Sequence, residues 1–244
     1  MKASREIALH IRDNSKISQV KQQDLQGLQT HFGHVFVDWD GVNCPLAKVY
    51  NDASEPKSAY EWFVILDDDT QLPLDFLESL VEADRDGFGA DIAVPIVRCG
   101  DLIVSPGQYN FVKGKHLTEV QRGMLPSYNL VAIASGMAIR HRYIASFPRP
   151  FDERLSFYGV DTRFCLDYRD RRPALFVTSA TLEHDSALWK SQDKDEQLRR
   201  FKLLRQSWFV VHQDSLVKRA AALGLAVLAS VKRTVTYRDI RYLL

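Results

Sequence analysis

Residues 62–70 read WFVILDDDT: five apolar side chains, Trp62 to Leu66, run straight into Asp67, Asp68 and Asp69. A short apolar run without alternation is the pattern of a strand buried on both faces. The carboxylates then fall at its carboxyl end. Three carboxylates cannot all be buried as unpaired anions, because each would carry several kcal/mol of desolvation cost. They need water, basic partners or a divalent cation, and hard carboxylate oxygens suit Mg²⁺ or Mn²⁺. The bland alternative is an acidic turn in which Asp69 or Thr70 caps a helix starting near Pro73.

Working outward, short apolar runs alternate with helical stretches. Upstream, residues 7–11 (IALHI) read as a strand and Asp13-Asn14-Ser15 as a turn. A polar helix follows over 17–30, with Ile17, Val20, Leu25 and Leu28 on one side, then a strand at 35–38 (VFVD). A helix over 45–53 carries Pro45 in its first turn. Downstream, 72–87 reads as a helix with an apolar stripe of Leu74, Leu77, Leu80 and Val81, stopped by Gly87. Residues 92–97 are a strand whose Pro95 argues for an edge or irregular position. The Gly-, Pro-, Ser- and Asn-rich residues 98–130 read as a long loop region with short strands. A strand at 130–140, a helix at 158–171 and a strand at 174–184 complete the pattern, and from about 193 the chain is nearly all helix. This alternation predicts an α/β fold, a sheet layered with helices, over 1–192 and a helical extension over 193–244.

Composition narrows the function classes. The 244 residues carry 32 Lys+Arg against 31 Asp+Glu, a formal charge of +1, which argues against nucleic-acid binding through a globally basic surface. Three cysteines, Cys44, Cys99 and Cys165, form no close pair and suit a reducing compartment. The first residues hold no apolar core of leader-peptide length, and no run reaches the ~18 apolar residues of a membrane span. The expectation is a cytoplasmic protein.

Single residues carry weaker signals. Asp161 follows Gly159 at the start of a helix, where a carboxylate can act as a general base or simply answer the helix dipole. His184 ends an apolar strand, where it can complete a metal site or be an ordinary hydrogen-bonded residue. Residues 220–231 (AAALGLAVLASV) lie between Lys218-Arg219 and Lys232-Arg233. A helix of that kind packs on the domain or a second subunit, or lies peripherally on an anionic membrane surface.

The order of these pieces is more specific than any one of them. DNS at 13–15, N-x-x-L-A-K-x-Y-N at 43–51, L-D-x-D-T at 66–70, S-G-x-A-I at 135–139, V-D-T-x-F-C-L at 160–166 and L-E-H at 182–184 together resemble the family 2 glycosyltransferases of the GT-A fold. The resemblance is to bacterial rhamnosyltransferase-like members that build surface polysaccharides, and covers roughly residues 5–210. It implies a single GT-A-like domain with a mixed central sheet. It implies an inverting, metal-dependent transfer of a sugar from a nucleotide-diphosphate donor, dTDP- or UDP-linked, to a saccharide or lipid-linked acceptor. On this resemblance Asp67 and Asp69 are the D-x-D pair, and Asp69 and His184 bind Mn²⁺ or Mg²⁺ with Asp67. Asp13 and Asp68 lie on the nucleotide and donor side, Asp13 at the base. Asp161 is the catalytic base, and Ser135 and Gly136 line the acceptor side.

One departure is expected. The spacing from Asp13 to Asp67 matches residues 7–11 to the family's second strand, so its first strand and helix find no counterpart here. Two other readings compete: a non-catalytic GT-A-like assembly partner, and a nucleotidyltransferase. The latter usually carries a Gly-rich basic loop, which is absent before residue 67.

Overall fold

The computed structural model describes residues 7–55, 60–184 and 193–243. At the amino end, β1 (Ala8–Arg12) and β2 (His34–Asp38) form a parallel pair joined through α1 (Gln22–His31). Next come α2 (Leu46–Ser54), β3 (Trp62–Val64), β4 (Thr70–Gln71) and α3 (Phe76–Asp86). Seven short strands follow: β5 (Ile92–Cys99), β6 (Leu102–Ser105), β7 (Gly107–Asn110), β8 (Lys113–Lys115), β9 (Gly123–Pro126), β10 (Leu130–Val131) and β11 (Ala138–Arg140). The chain continues through α4 (His141–Ile144), α5 (Val160–Arg169) and β12 (Ala174–His184), and then α6 (Lys194–Val211) and α7 (Leu216–Tyr237).

The main sheet runs β3-β11-β5-β12-β4, with β6 added to β5 and β9 to β12. β5 and β12 are parallel and the other pairs antiparallel, so the sheet is mixed. A small antiparallel sheet, β10-β7-β8, stands apart. Period-two alternation along β5 builds the two faces. Ile92, Val94 and Ile96 join Tyr50 of α2, Tyr143 of α4 and Phe164 of α5 in the larger core. Ala93 and Val97 join Phe76, Leu80 and Ala83 of α3 on the other face. Helices on both faces of a mixed sheet are the predicted architecture.

Several local expectations are corrected. The apolar run at 62–70 is not one strand buried on both faces. β3 stops at Val64, is half-buried and lies at one end of the strand order. Thr70 belongs to β4, and the following helix begins at Phe76 with no side-chain cap, so neither Asp69 nor Thr70 caps it. In α3 the stripe is rotated: Phe76, Ser79, Leu80 and Ala83 are buried, while Leu74, Leu77 and Val81 are exposed. The small residues Ser79 and Ala83 let the helix approach the sheet. The helix expected over 17–30 begins only at Gln22 and buries no residue. The strand expected over 130–140 is split into β10 and β11 by a turn at 134–136.

Pro95 sits inside the sheet, but at an interruption. β11 pairs with β5 only at Ile92 and Ala93. Between Val177 and Thr181, β12 advances four residues while β5 advances two, from Val94 to Ile96. The residue without an N–H therefore meets a gap in the ladder. Because the excess is two residues, β12 keeps its parity: Phe176, Ala180 and Leu182 all face α3.

The C-terminal helices dock on this body. Tyr109 Oη of β7 and His212 Nε2, just after α6, share a 2.9 Å hydrogen bond, and Arg163 of α5 donates to Val211 O at 3.0 Å. α7 in turn buries Ala222, Ala226 and Ser230. The expected division at 192/193 falls where residues 185–192 lie outside the described set.

Candidate metal and transfer site

After β3 the chain is held by the turn that splits the 130–140 strand. Ile65 N donates to Met137 O at 3.0 Å, and Gly136 N donates to Ile65 O at 2.8 Å. Asp67 N reaches Ser135 Oγ at 3.5 Å, and the hydroxyls of Ser135 and Thr70 are hydrogen-bonded. Gly136 has φ +80°, and a Cβ there would lie 2.6 Å from Pro95 Cγ and 2.8 Å from Leu182 Cδ2. Only glycine fits that backbone and that space.

Strand register then brings the histidine in. β4 pairs with the end of β12, with Thr70 opposite His184. Asp67, Asp69 and His184 thereby each place a ligand atom within 4.8 Å of the others. Asp69 Oδ1 is 3.2 Å from His184 Nδ1, and Thr70 Oγ1 is 3.4 Å from the same nitrogen. Asp161 comes from another element. Gly159, at φ +83°, opens α5, and the Asp161 carboxylate accepts from Thr162 N at 2.6 Å and from the backbone of Ala134. Residues 134–137 thus hold both the aspartate loop and Asp161.

The electrostatics show strain among like charges. Burial, followed by repulsion from Asp69, pushes the Asp67 carboxyl up to about 6, against a downward pull from His184; Asp161 and Asp68 add further repulsion. Burial likewise raises Asp161, partly offset by its bonds from Thr162 and Ala134. Tyr50 is buried, and its hydroxyl is held in the protonated form by burial and by the nearby charges of Asp67 and Asp161. Tyr50, Asp67 and Asp161 therefore share one electrostatic environment.

The remaining expected residues are placed differently. Ser135 and Gly136 are buried behind the aspartate loop and hydrogen-bond to its backbone at Asp67 and Ile65. Asp13 is buried in its own turn, accepting from Ser15 N at 3.0 Å, Ser18 Oγ at 3.0 Å and Gln19 N at 2.7 Å. Those bonds, that of Gln19 N foremost, hold its carboxyl far below the usual range. Asp13 does not belong to the Asp67–Asp69–His184 group. Asp68 is exposed. Sequence reasoning gave Thr70 only a candidate capping role, and Tyr50 and Ala134 none. Thr70 and Tyr50 lay within quoted motifs, whereas a backbone N–H such as that of Ala134 leaves no signal in residue type.

No family model matches the chain, and no curated protein matches its sequence. Solved structures do match. One, described as GalNAc-T7 with UDP, GalNAc and Mn²⁺, aligns at TM-score 0.57 and 14% identity, over 84% of this chain and 42% of that one. Another, S. aureus TarS 1–349, aligns at TM-score 0.56 and 10% identity, over 98% of this chain and 71% of that one. The fold is that of the GT-A glycosyltransferases. At these identities the likeness is one of fold, and the chain spans less than half of the GalNAc-T7 chain.

Within this fold the acidic group has the chemistry of a cation site. Two carboxylates and an imidazole offer the oxygen and nitrogen donors that Mn²⁺ and Mg²⁺ accept. The three ligand atoms lie within 4.8 Å of one another, and binding one ion would draw them together, since opposite ligands of an octahedral ion at ~2.1 Å are ~4.2 Å apart. A cation there would offset both the burial and the repulsion that raise Asp67.

Proposed function

We propose that this chain is a metal-dependent glycosyltransferase that moves a sugar from a nucleoside-diphosphate donor to a hydroxyl acceptor with inversion. The observation that carries the reading is the convergence of Asp67, Asp69 and His184 within 4.8 Å, with Asp161 close enough to repel Asp67. Asp67, Asp69 and His184 would hold Mn²⁺ or Mg²⁺, which when bound supplies positive charge against the leaving diphosphate. Asp161 does the proton work. Burial raises its basicity above that of a solvated carboxylate. It takes the proton of the acceptor hydroxyl as that oxygen bonds to the anomeric carbon and the bond to the diphosphate oxygen breaks on the opposite face.

The donor fits a UDP- or dTDP-linked sugar, and the GalNAc-T7 structure, described with UDP and Mn²⁺, supports that class. The acceptor in this reading is a saccharide or lipid-linked saccharide. Asp13 enters through the turn it stabilises on the nucleotide side, and Asp68 as an exposed donor-side carboxylate.

Two substitutions test the assignment. Asp69→Ala should lower Mn²⁺-dependent affinity for UDP or dTDP at least about tenfold and leave the weak affinity in excess chelator unchanged, read by titration calorimetry. Asp161→Asn keeps shape but cannot accept a proton, so turnover should fall at least about a hundredfold while donor affinity stays within a few-fold. Nucleotide binding equally tight in chelator would overturn the metal assignment. Near-parental turnover in Asp161→Asn would overturn the base.

A further inference from the structure

α7 is built the wrong way round for a helix that serves only the core. Its buried side is made of small residues, Ala222, Ala226 and Ser230. Most of its large aliphatic residues point outward: Val217, Leu223, Val227, Leu228, Val231 and Val235 are exposed, Leu228 at 68% and Val235 at 71%, while Leu225 is half-buried. At 100° per residue these six fall in one sector of about 140°. The sector is centred about 130° from the buried stripe, and among the described residues its side chains stay exposed.

The charges bordering that sector are of one sign. Arg219 lies at one border and Lys232 at the other, and both are exposed. Lys218 and Arg238 add two more positive charges, and no Asp or Glu occurs from 215 to 238. The nearest carboxylates beyond each end are engaged, Asp214 with Arg163 and Asp239 with Arg241 at 2.8 Å. Among the described residues no helix is long and apolar enough to cross a membrane.

We infer that α7 docks this protein on an anionic lipid surface, lying in its plane with the aliphatic sector in the acyl boundary. A helix of 22 residues is ~33 Å long, and cations at the borders of its apolar face meet the headgroup phosphates. A second copy of the chain is the poorer occupant. A two-fold contact through this face would bring Arg219, Lys232 and their counterparts together with no carboxylate between them.

The test is cosedimentation of the full chain with vesicles of phosphatidylglycerol mixed into phosphatidylcholine, against phosphatidylcholine alone. Binding should need the anionic lipid and weaken as salt is raised. Arg219→Glu and Lys232→Glu should each lower partitioning by at least roughly fivefold. The pair Leu228→Glu with Val231→Glu should abolish it; these side chains are exposed, and an unchanged thermal midpoint verifies the fold. The charge variants keep the idea testable if the aliphatic pair fails to fold. Indifference to anionic vesicles at low salt would overturn the inference. So would unchanged binding by the charge variants, or concentration-dependent self-association in sedimentation that Leu228→Glu abolishes.

Discussion

At the scale of single residues, the centre of the site is Ser135 rather than an aspartate. Its hydroxyl meets the Asp67 amide and the Thr70 hydroxyl, and Thr70 meets His184, so one buried Oγ connects the strand end to the histidine. Removing it leaves Thr70 without its inner partner and frees the loop that carries Asp67 and Asp69. Ser135→Ala should cost about 1–2 kcal/mol of stability, the size of a lost buried hydrogen bond. It should also lower Mn²⁺-dependent nucleotide affinity several-fold without touching any ligand atom. Urea denaturation and calorimetry on one sample separate the two effects. Full metal affinity in Ser135→Ala would show that strand pairing alone positions the aspartates.

At the scale of elements, the glycine beside Ser135 decides whether the turn can form. Gly136→Ala adds a Cβ at 2.6 Å from Pro95 Cγ, at a φ of +80°. Overpacking and left-handed strain together should cost about 2–4 kcal/mol, read as a lowered urea midpoint. The same turn shows what a sequence conceals. Strand β12 and helix α5 match the expected 174–184 and 158–171 closely, because long periodic segments announce their type. The 130–140 run looked equally continuous, but Gly136 at φ +80° turns the chain there, with no room for a Cβ beside Pro95 and Leu182. α3 hid its face for another reason. Leucines at 74 and 77 and Val81 make a plausible stripe, but close approach to the sheet selected the side bearing Ser79 and Ala83. Asp67, Asp69 and His184 could be singled out by motif order, whereas their convergence depends on the Thr70–His184 register, which residue types do not encode. The bonds of Asp13 to its own turn were equally hidden, because a carboxylate in an Asp-Asn-Ser turn serves its own backbone as readily as a ligand.

At the scale of the whole molecule, the C-terminal helices are joined to the α/β body by a buried imidazole. His212 is 3% exposed, stacks on Tyr109 with ring centroids 5.9 Å apart and shares a hydrogen bond with its hydroxyl. Burial first, then the charge of Lys218, lowers its pKa to about 4. Between about 6.5 and 4 the unfolded chain therefore binds a proton at His212 that the folded chain does not, and stability contributed through this residue falls as pH falls through that window. Asp67, raised to about 6, acts in the opposite sense over an overlapping range, because its folded form takes up a proton first. Glu196, lowered to about 2, loses its contribution only as pH falls below its ordinary value. The parent's pH profile mixes these with other shifted groups such as Asp161 and Asp13, but its difference from His212→Gln cancels the groups the two share. That variant should cost stability at pH 7.5, where the neutral imidazole is well packed. Its disadvantage should then shrink by about 1–3 kcal/mol between pH 6.5 and 4, with most of the change complete by pH 4. Urea midpoints at half-unit pH steps give the difference directly. A gap that stays constant across the window would mean that His212 protonates as readily in the folded chain as in the unfolded one. The joint between the helices and the body would then be open to water, contrary to the packing of Tyr109, Val211 and Arg163 around it.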